Sequence, residues 1–412
     1  MSVSALSSMA HELTLDLPAL LSIAREFAGE IRRGLRGEPS SLKCIPAHIS
    51  LPSGSEQGDV IGLDFGGTNV RAVSCRLHGS GRMEILRQYQ KSLHMPGVYS
   101  YIGSDTTAEE LFDVLAGAVK EVWQGSPVPL LGYTFSFPSR QPSLQEAYLL
   151  SWTKEFAVPH AEGKNVSVLL EQALERAGIS LSPAAVINDT TAVLLTGQYE
   201  CGNILIGSIY GTGHNTAYYE TSPAAGDPTI INLECGNFDR LLQTAYDQAL
   251  DQFSEKPGQQ RLEKMVSGRY IERLLTYCMT RLFPQWQSTI SCAQMNGILE
   301  NTLPCPPAWS AAEYRAAGEL SRAILTRSAQ LAAASYAGIL FHVYGETAPI
   351  PPAGIAIDGS LYAHIPLIQE TIRDTLALLL GNRAEQVSLH YVPDGSAKGA
   401  AIAACWAQPA LG

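Results

Sequence analysis

The stretch that decides the fold is Val60-Ile61-Gly62-Leu63-Asp64-Phe65-Gly66-Gly67-Thr68-Asn69-Val70-Arg71. Its first half is an apolar run that predicts a buried strand, and the two glycines that follow predict a tight turn. A second apolar run, from Val70 to Leu77, predicts the return strand. Backbone N–H groups in such a turn can converge on phosphate oxygens, because glycine has no Cβ to block the approach. The segment therefore predicts a strand hairpin whose tip binds phosphate.

The same arrangement recurs later in the chain, and its turn recurs twice more. Ile204 to Tyr210 is apolar, Gly211-Thr212-Gly213-His214-Asn215 follows it, and Thr216 to Glu220 predicts a return strand. Asp358-Gly359-Ser360 and Asp394-Gly395-Ser396 each follow another apolar run. One Asp-Gly-Ser is ordinarily a plain turn, but four glycine turns after apolar strands favour phosphate held between two duplicated α/β halves. None of the four turns matches GxxxxGK[ST] or GxGxxG, which argues against a P-loop and a Rossmann dinucleotide site.

Two carboxylates stand at the ends of apolar strands. Asp64 precedes the first glycine turn, where it could hold Mg²⁺ through water or simply cap the hairpin. Asp189 follows the short apolar run Ala184 to Ile187, and it could accept a proton from an alcohol that attacks phosphorus. The alternative is that Asp189 is the N-cap of a helix that starts near Thr190. From these residues alone, Asp64 could hold a metal or cap the hairpin, and Asp189 could be a catalytic base or an N-cap.

Composition and length indicate an ordinary globular protein. The 412 residues suit two domains of roughly 150–250 residues that could enclose a cleft. A formal charge of −11 argues against a general affinity for nucleic acid or for an anionic membrane. The eight cysteines form no CxxC pair, so we expect reduced thiols in a cytoplasmic protein. The first fifteen residues do not resemble a secretory signal, and we expect no membrane helix.

Helices are predicted between the strands. Leu20, Ile23, Phe27 and Ile31 recur at three and four residues, which predicts an amphipathic helix over Leu17 to Leu35. A second helix is predicted from Thr107 to Trp123, with a capping box at its start, and a third from Asn165 to Ala177. The chain is therefore predicted to be mixed α/β.

The motifs, taken together, resemble those of the eukaryotic hexokinase and glucokinase family. In chain order they are Leu63 to Arg71, Phe135-Ser136-Phe137-Pro138, Ser151-Trp152-Thr153-Lys154-Glu155-Phe156, Asn188-Asp189-Thr190, Gly211 to Asn215, Asn232-Leu233-Glu234, Pro257 to Met265, Ser267-Gly268-Arg269-Tyr270, Ile357 to Tyr362 and Asp394 to Ala401. The resemblance covers nearly the whole chain from about residue 17 onward, and we expect a divergent member of fungal type.

The resemblance implies an actin-like ATPase fold, with ribonuclease-H-like halves that close over a sugar. It also implies ATP-dependent phosphorylation of the 6-hydroxyl of a hexose such as glucose, the first step of glycolysis, with ATP and Mg²⁺. The residues implied to surround the sugar are Ser136, Thr153, Lys154, Asn188, Asp189, Asn215, Glu234 and Glu263. Those implied to contact Mg-ATP are Asp64, Gly66, Gly67, Thr68, Asn69, Thr212, Gly213, Gly268, Arg269, Gly359 and Ser360.

The implied roles follow the chemistry of phosphoryl transfer. Asp189 would take the proton of the attacking hydroxyl, Lys154 would stabilise charge on the transferred group, and Asp64 would hold Mg²⁺ through water. Arg71 would be a structural partner of the first hairpin.

The expected domains are a small one, 58–188 completed by the helix 396–412, and a large one, 189–395 with 1–57 packed on it. We expect a monomer or a weak homodimer.

Four positions depart from the family's pattern. Glu155 stands where a glycine is usual, and Cys235 stands where a large aromatic is usual, so ring volume is lost beside the predicted sugar site. His214 replaces a small residue and Ala397 replaces a glycine. Two other functions therefore stay open: a kinase for another polyhydroxylated small molecule, and a weakly catalytic sugar sensor.

Overall fold

The computed structural model describes residues 3–67, 69–125, 130–153, 156–222 and 226–408. The helices in these ranges are α1 (Val3–Glu12), α2 (Leu17–Leu35), α3 (Ala108–Trp123), α4 (Val166–Arg176), α5 (Asp189–Cys201), α6 (Ala245–Gln252), α7 (Arg261–Val266), α8 (Gly268–Leu282), α9 (Cys292–Leu299), α10 (Ala311–Tyr344), α11 (Ser360–His364), α12 (Pro366–Leu380) and α13 (Gly395–Trp406). The strands are β1 (Ile45–Pro46), β2 (Gln57–Phe65), β3 (Asn69–His78), β4 (Met83–Ser92), β5 (His94–Met95), β6 (Tyr99–Ser100), β7 (Leu130–Phe135), β8 (Ser139–Ser143), β9 (Glu146–Leu149), β10 (Pro183–Ile187), β11 (Ile204–Tyr210), β12 (His214–Glu220), β13 (Thr229–Asn232), β14 (Ala353–Asp358) and β15 (Val387–Tyr391).

Two large sheets are built on the same plan. The first has the order β10-β7-β2-β3-β4, and the second has the order β1-β13-β12-β11-β14-β15. In the first sheet β2, β3 and β4 are antiparallel neighbours, while β7 and β10 continue in parallel on the other side of β2. In the second sheet β11, β12 and β13 repeat the antiparallel part, and β14 and β15 repeat the parallel part. The duplication predicted from the two glycine hairpins is confirmed.

One of the two hairpins has the predicted turn, and the other has a shorter one. In the first, Phe65 pairs with Val70, so the turn falls where the sequence predicts it. In the second, His214 pairs with Tyr210 across the hairpin. Strand β12 therefore begins two residues before Thr216, and the turn contains only Gly211 to Gly213.

The predicted amphipathic helix is confirmed as α2 with the same bounds. Asp16 caps it, since its Oδ1 accepts a hydrogen bond from Ala19 N at 2.9 Å. Its apolar stripe is buried in a core that also contains α10. The predicted capping box of α3 is also present, because Thr107 Oγ1 accepts from Glu110 N and Glu110 Oε2 accepts from Thr107 N.

Helix α13 packs directly on the backbone of the first sheet. A Cβ built on Gly132 would lie 1.7 Å from Ala400 O, and one built on Gly62 would lie 1.9 Å from Ala397 O. On its other side, a Cβ on Gly399 would lie 2.0 Å from Ala192 O of α5. Only glycine allows these approaches, so α13 is held between β2, β7 and α5 without intervening side chains.

Among the described residues, no helix combines the length and the apolar character that crossing a membrane requires.

Candidate active site

Residues 188–190 begin helix α5 directly after strand β10. The N-cap is Asn188, whose Oδ1 accepts from Thr190 N at 3.0 Å and from Thr190 Oγ1 at 2.6 Å. Asp189 is the first helical residue, and its Oδ1 accepts from Thr190 N at 2.8 Å. The interpretation of Asp189 as the N-cap is therefore wrong. A carboxylate at the positive end of a helix is favoured in its ionised form, which is the form that a base needs.

Helix α5 lies where the two sheets meet. Strand β10 of the first sheet leads into it, and its first turns pack on Gly207 of β11 in the second sheet. A Cβ on Gly207 would lie 2.5 Å from Thr190 O. The Asp189 carboxylate, which is half-buried, is thus carried to the junction of the two halves.

Glu234 is held by two amide side chains. Asn232 Nδ2 donates to Glu234 Oε1 at 2.9 Å, and Asn215 Nδ2 lies 3.4 Å from the same oxygen. Asn215 Nδ2 also donates to Asn232 Oδ1 at 2.9 Å. The backbone of Glu234 is in the left-handed region, with φ 51° and ψ 49°, a conformation that costs a non-glycine residue about 1–2 kcal/mol. The two amides offset this strain and fix the direction of the carboxylate.

Glu263 on α7 faces the same place from the other side. A Cβ on Gly236 would lie 2.9 Å from Glu263 Oε2, and a Cβ on Gly213 would lie 3.3 Å from Glu263 Oε1. Its carboxylate therefore lies between the loop that follows Glu234 and the second glycine turn. This brings three predicted sugar residues, Asn215, Glu234 and Glu263, together beside the predicted phosphate residue Gly213.

Ser136 connects the predicted sugar segment to the first glycine turn. Its N–H donates to Phe65 O at 3.2 Å, and a Cβ on Gly66 would lie 2.6 Å from Ser136 Oγ. Among the described residues this buried hydroxyl has no hydrogen-bond partner, which suits a group that binds a ligand hydroxyl. Trp152, which precedes Thr153, packs its ring edge-on against Phe137, the residue after Ser136, with 4.8 Å between the ring centroids.

Three predicted positions lie outside the described residues. They are Thr68, Lys154 and Glu155. The neighbours of Thr68 in the first turn are described: Gly67 has open space where a Cβ would be, and Asn69 is the exposed first residue of β3.

The second glycine turn, the start of α8 and the third glycine turn converge. Gly268 N donates to Gly211 O at 2.9 Å, and Arg269 N donates to Thr212 O at 3.3 Å. A Cβ on Gly211 would lie 3.0 Å from Ser360 N. Gly359 has a φ of 123°, and a Cβ there would lie 2.5 Å from Tyr210 O, so this position requires glycine. The hydrogen bonds of Gly268 N and Arg269 N thus join the start of α8 to the second glycine turn, and the close approach of Gly211 to Ser360 brings the third glycine turn to the same point.

Asp358 and Arg71 join the remaining turns. Asp358 accepts from Gly359 N at 2.7 Å and from Gly395 N at 3.1 Å, which ties the third turn to the fourth. Burial raises the pKa of this carboxyl above its ordinary value, against the lowering effect of the two backbone hydrogen bonds. Arg71 Nη1 donates to Asp394 Oδ1 at 3.1 Å, so this guanidinium ties the first hairpin to the fourth turn.

A pocket of about 660 Å³ extends outward from the converging turns. Its inner end is lined by Gly211, Thr212, Gly268 and Ser360. The rest of its wall includes Leu250 and Phe253, a residue that is 83% exposed, together with polar residues such as Arg273 and Thr276. A pocket of this size beside the glycine turns has room for a ligand that carries phosphate on one side and an aromatic base on the other.

The donor set fits Mg²⁺ better than a metal that needs a complete protein cage. Asp64 stands at the end of β2, directly before the first glycine turn. Over the described ranges, no group of three or more His, Cys, Asp or Glu side chains could hold a metal. Mg²⁺ commonly binds through one or two carboxylates, with water and phosphate oxygens completing its shell.

Three of the four departures can be located. The Cys235 side chain is fully buried, and its Sγ lies 3.5 Å from Thr216 Oγ1. That Cys235 removes ring volume beside the sugar site stays a prediction. The His214 ring is also buried, with Nδ1 3.1 Å from Ile209 O. Ala397 is part of the contact between α13 and β2.

Asn232 is a residue of the site that sequence reasoning missed. Its side chain bonds both Asn215 and Glu234, and its Oδ1 also accepts from Glu234 N at 3.2 Å. An asparagine is an unusual end for the apolar run Thr229 to Ile231, and this was the signal in the sequence. Its partner Asn215 is 17 residues away and becomes adjacent only when β12 pairs with β13.

The known proteins that this chain is similar to are hexokinases. A family model described as Hexokinase matches residues 5–199, and a second with the same description matches 205–303 and 285–406. Hexokinase-7 of Oryza sativa subsp. japonica is 31% identical over 449 residues, which cover 97% of this chain and 96% of that protein. Hexokinase of Toxoplasma gondii is 29% identical over 453 residues, 95% of each. Neither of these two relatives is fungal.

Solved structures give the same result and confirm the expected fold class. A crystal structure of hexokinase superposes with a TM-score of 0.84 at 32% identity and covers 98% of this chain and 100% of that one. Hexokinase from Schistosoma mansoni complexed with glucose gives a TM-score of 0.82 at 27% identity, with the same coverage. A regulator of the ROK family, at 15% identity and a TM-score of 0.55, shares the fold alone. This chain therefore belongs to the hexokinase family.

Proposed function

We propose that this enzyme transfers the γ-phosphoryl group of ATP to the 6-hydroxyl of a hexose such as glucose, with the Asp189 carboxylate as general base. The observation that supports the proposal is that one hairpin, β11–β12, joins the residues predicted to bind phosphate to those predicted to bind the sugar. Its turn, Gly211 to Gly213, contacts α8 and Gly359. Asn215, near the start of its return strand β12, contacts Glu234. A sugar held by the carboxylates would thus lie beside the phosphates of the nucleotide.

The sugar side offers acceptors and donors that suit a polyol. Glu234 and Glu263 present carboxylate oxygens, and Ser136 presents a hydroxyl that has no hydrogen-bond partner among the residues described here. Each sugar hydroxyl both donates and accepts, so such a set favours a substrate with several hydroxyls and disfavours an analogue that lacks one. Thr153, Asn188 and Lys154 complete the proposed sugar shell.

The nucleotide side offers backbone donors and a base pocket. The triphosphate would lie against Gly66, Gly67, Thr68, Asn69, Thr212, Gly213, Gly268, Arg269, Gly359 and Ser360. The adenosine would extend into the pocket whose wall includes Leu250 and Phe253. Asp64 would hold Mg²⁺ through water, and the ion would neutralise charge on the β- and γ-phosphates.

In the proposed reaction Asp189 accepts the proton of the 6-hydroxyl as that oxygen bonds to the γ-phosphorus. The bond from phosphorus to the β,γ-bridging oxygen breaks, and ADP leaves with the electron pair. Lys154 and the turn N–H groups stabilise charge on the phosphoryl group in transit. The proton on Asp189 then passes to solvent. Closure of the two domains, 58–188 with 396–412 and 189–395 with 1–57, would exclude water from the phosphoryl group.

The hexose assignment is preferred over another polyol. The similarity to hexokinases, one of them solved in complex with glucose, supports this preference, while Glu155 and Cys235 remain the two departures that could favour a different substrate. We also infer a cytoplasmic monomer or weak homodimer, which gel filtration and cell fractionation would test.

Replacing Asp189 by Asn tests the proposed base. We expect kcat with glucose to fall about 10²–10⁴-fold, while the Kd for glucose changes little, because the amide keeps the shape but cannot accept the proton. A coupled ADP-release assay measures turnover, and calorimetry measures glucose binding. Asp374→Asn, an exposed position on α12, is the matched control. Wild-type turnover in D189N would contradict the assignment, and turnover of another polyol in place of glucose would contradict the hexose proposal.

A further inference from the structure

Behind Asn215 lies a layer of buried polar side chains that does not face the cleft. We call Ser208, Thr216, Cys235 and Tyr336 the supporting layer. All four side chains are fully buried. Ser208 is on β11, Thr216 is on β12, Cys235 follows Glu234, and Tyr336 is on the long helix α10. A buried polar group is normally retained only where it is hydrogen-bonded, so the connections within this layer are informative.

The layer forms a continuous hydrogen-bonded chain that ends at Asn215. Tyr336 Oη donates to Ser208 Oγ at 2.9 Å, and Ser208 Oγ donates to the main-chain oxygen of Asn215 at 3.2 Å. Ser208 Oγ also lies 3.3 Å from Thr216 Oγ1, which in turn lies 3.5 Å from Cys235 Sγ. With the tyrosine hydroxyl as the donor to Ser208, all these contacts are satisfied at once if Thr216 Oγ1 also donates to Ser208 Oγ and the single serine proton goes to Asn215 O.

Main-chain N–H groups of two residues of the layer also orient the side chain of Asn215. Its Oδ1 accepts from Thr216 N at 2.8 Å and from Cys235 N at 3.1 Å. With Oδ1 bound on this side, Nδ2 is turned toward Asn232 and Glu234. Asn215, held in this way, contributes together with Asn232 to the direction of the Glu234 carboxylate.

We propose that Tyr336 is a positioning residue for the sugar, acting through Ser208 on Asn215 and, through Asn215, on Glu234. The inference rests on the proposed function, since it assumes that Asn215 and Glu234 bind the sugar. Tyr336 lies on the side of β11 away from the cleft, so its hydroxyl acts on substrate affinity without contacting substrate. The nucleotide side of the hairpin is held separately, by Gly268 N and Arg269 N, and is not connected to Ser208 in this way.

The test replaces Tyr336 by Phe, which keeps the ring and removes only the hydroxyl. We expect the Kd for glucose to rise about fivefold, because one intramolecular hydrogen bond contributes about 1 kcal/mol and a tenfold change corresponds to about 1.4 kcal/mol. The KM for ATP should not change. The matched control is Tyr218→Phe, which removes another buried hydroxyl from strand β12, one that donates to Glu220 Oε2 at 2.6 Å. Y218F should lower the free energy of unfolding about as much as Y336F does, but it should leave the Kd for glucose unchanged.

A second variant keeps the inference testable if Y336F folds poorly. Ser208→Ala breaks the same chain one step later, and it should weaken glucose binding by a similar factor. The double variant S208A/Y336F should bind glucose no more weakly than S208A, because both changes interrupt one path.

Equal glucose affinity in wild type, Y336F and S208A would overturn the inference about Tyr336 alone. Additive losses in the double variant would also overturn it. A wild-type protein that neither binds nor phosphorylates glucose would overturn the proposed function and this inference together, so the two failures are distinguishable.

Discussion

At the scale of single residues, the site is defined by how a few polar side chains hold one another. Glu234 could be anticipated from its place in the motif that ends with it. Its left-handed backbone and its two amide partners could not, because both depend on strand pairing that no local pattern encodes. The same holds for Asp189: the sequence placed it at a helix start, but only the structure distinguishes the cap Asn188 from the first helical residue.

Replacing Asn232 by Ala should weaken sugar binding more than it weakens the fold. The change removes the hydrogen bond that Asn232 Nδ2 donates to Glu234 Oε1 at 2.9 Å. It also removes a contact that helps to keep Glu234 in its unfavourable left-handed backbone conformation. Hydrogen bonds to charged groups contribute about 1.5–3 kcal/mol, so we expect the KM for glucose to rise at least about tenfold.

Steady-state kinetics with each substrate varied in turn would measure the effect of N232A. The KM for ATP should stay within about twofold of wild type. As a control, Asn382→Ala changes an exposed asparagine just after α12 whose backbone is not in the left-handed region. An unchanged glucose KM in N232A would show that Glu234 keeps its direction without this amide.

At the scale of elements, the strand–turn–strand units were predictable and several other elements were not. The units carry a strong local signal, an apolar run followed by glycines. Strand β4 does not, because most of its residues are exposed and no alternation of polar and apolar residues marks it. The 34-residue helix α10 is buried on several sides, so it lacks the single apolar stripe that reveals an amphipathic helix.

The contact between α13 and the first sheet gives a prediction about stability. Gly132→Ala should destabilise the protein by about 3 kcal/mol, because the added Cβ would lie 1.7 Å from Ala400 O and backbone must move to accept it. The control is Gly117→Ala in the middle of α3, where nothing lies within 4 Å of the Cβ position. That change should stabilise the protein by roughly 0.5–1 kcal/mol, since alanine favours helix.

Urea or guanidinium denaturation of both glycine variants would measure the two free energies of unfolding. Opposite signs are the expected result. If G132A were as stable as wild type, α13 would not be in direct contact with the strand backbone.

At the scale of the whole molecule, several buried ionisable groups make stability depend on pH. Burial lowers the pKa of His214 to about 4, against the raising effect of its hydrogen bond to Ile209 O. Burial alone would raise the pKa of Glu30, but hydrogen bonds from Arg33, Ser40, Ser41 and Arg240 lower it to about 2. Burial alone would also raise the pKa of Glu220, but hydrogen bonds from His342, Tyr218 and Ser222 lower it to about 2.

These pKa shifts predict that the free energy of unfolding falls in acid over two separate pH ranges, which we call the two limbs of its pH dependence. The unfolded chain protonates His214 near pH 6.5, whereas the folded protein resists protonation down to about pH 4. The free energy of unfolding should therefore fall by up to roughly 3 kcal/mol as pH falls through that window. The contributions of Glu30 and Glu220 are present above about pH 4.5 and are lost as pH falls toward about 2.

Denaturation curves at pH 7.5 and pH 5 would measure the first limb. His214→Gln should flatten it, because glutamine does not titrate. His11→Gln, at an exposed histidine of α1, should leave the limb as in wild type. A wild-type protein equally stable at both pH values would contradict the assignment of this limb to His214.

The direct seating of α13 on Gly62 and Gly132 also bears on the order of folding during synthesis. Strands β2 and β7 are complete once the chain has reached Phe135, but the helix that covers them is not made until the chain has passed Trp406. Until then one face of the first sheet has no cover, and uncovered apolar sheet surface is prone to aggregation. The nascent chain should accordingly depend on a chaperone over that interval, and ribosome-bound chains halted before Gly395 should be sensitive to protease in the first sheet, whereas chains extended well beyond Trp406 should resist it.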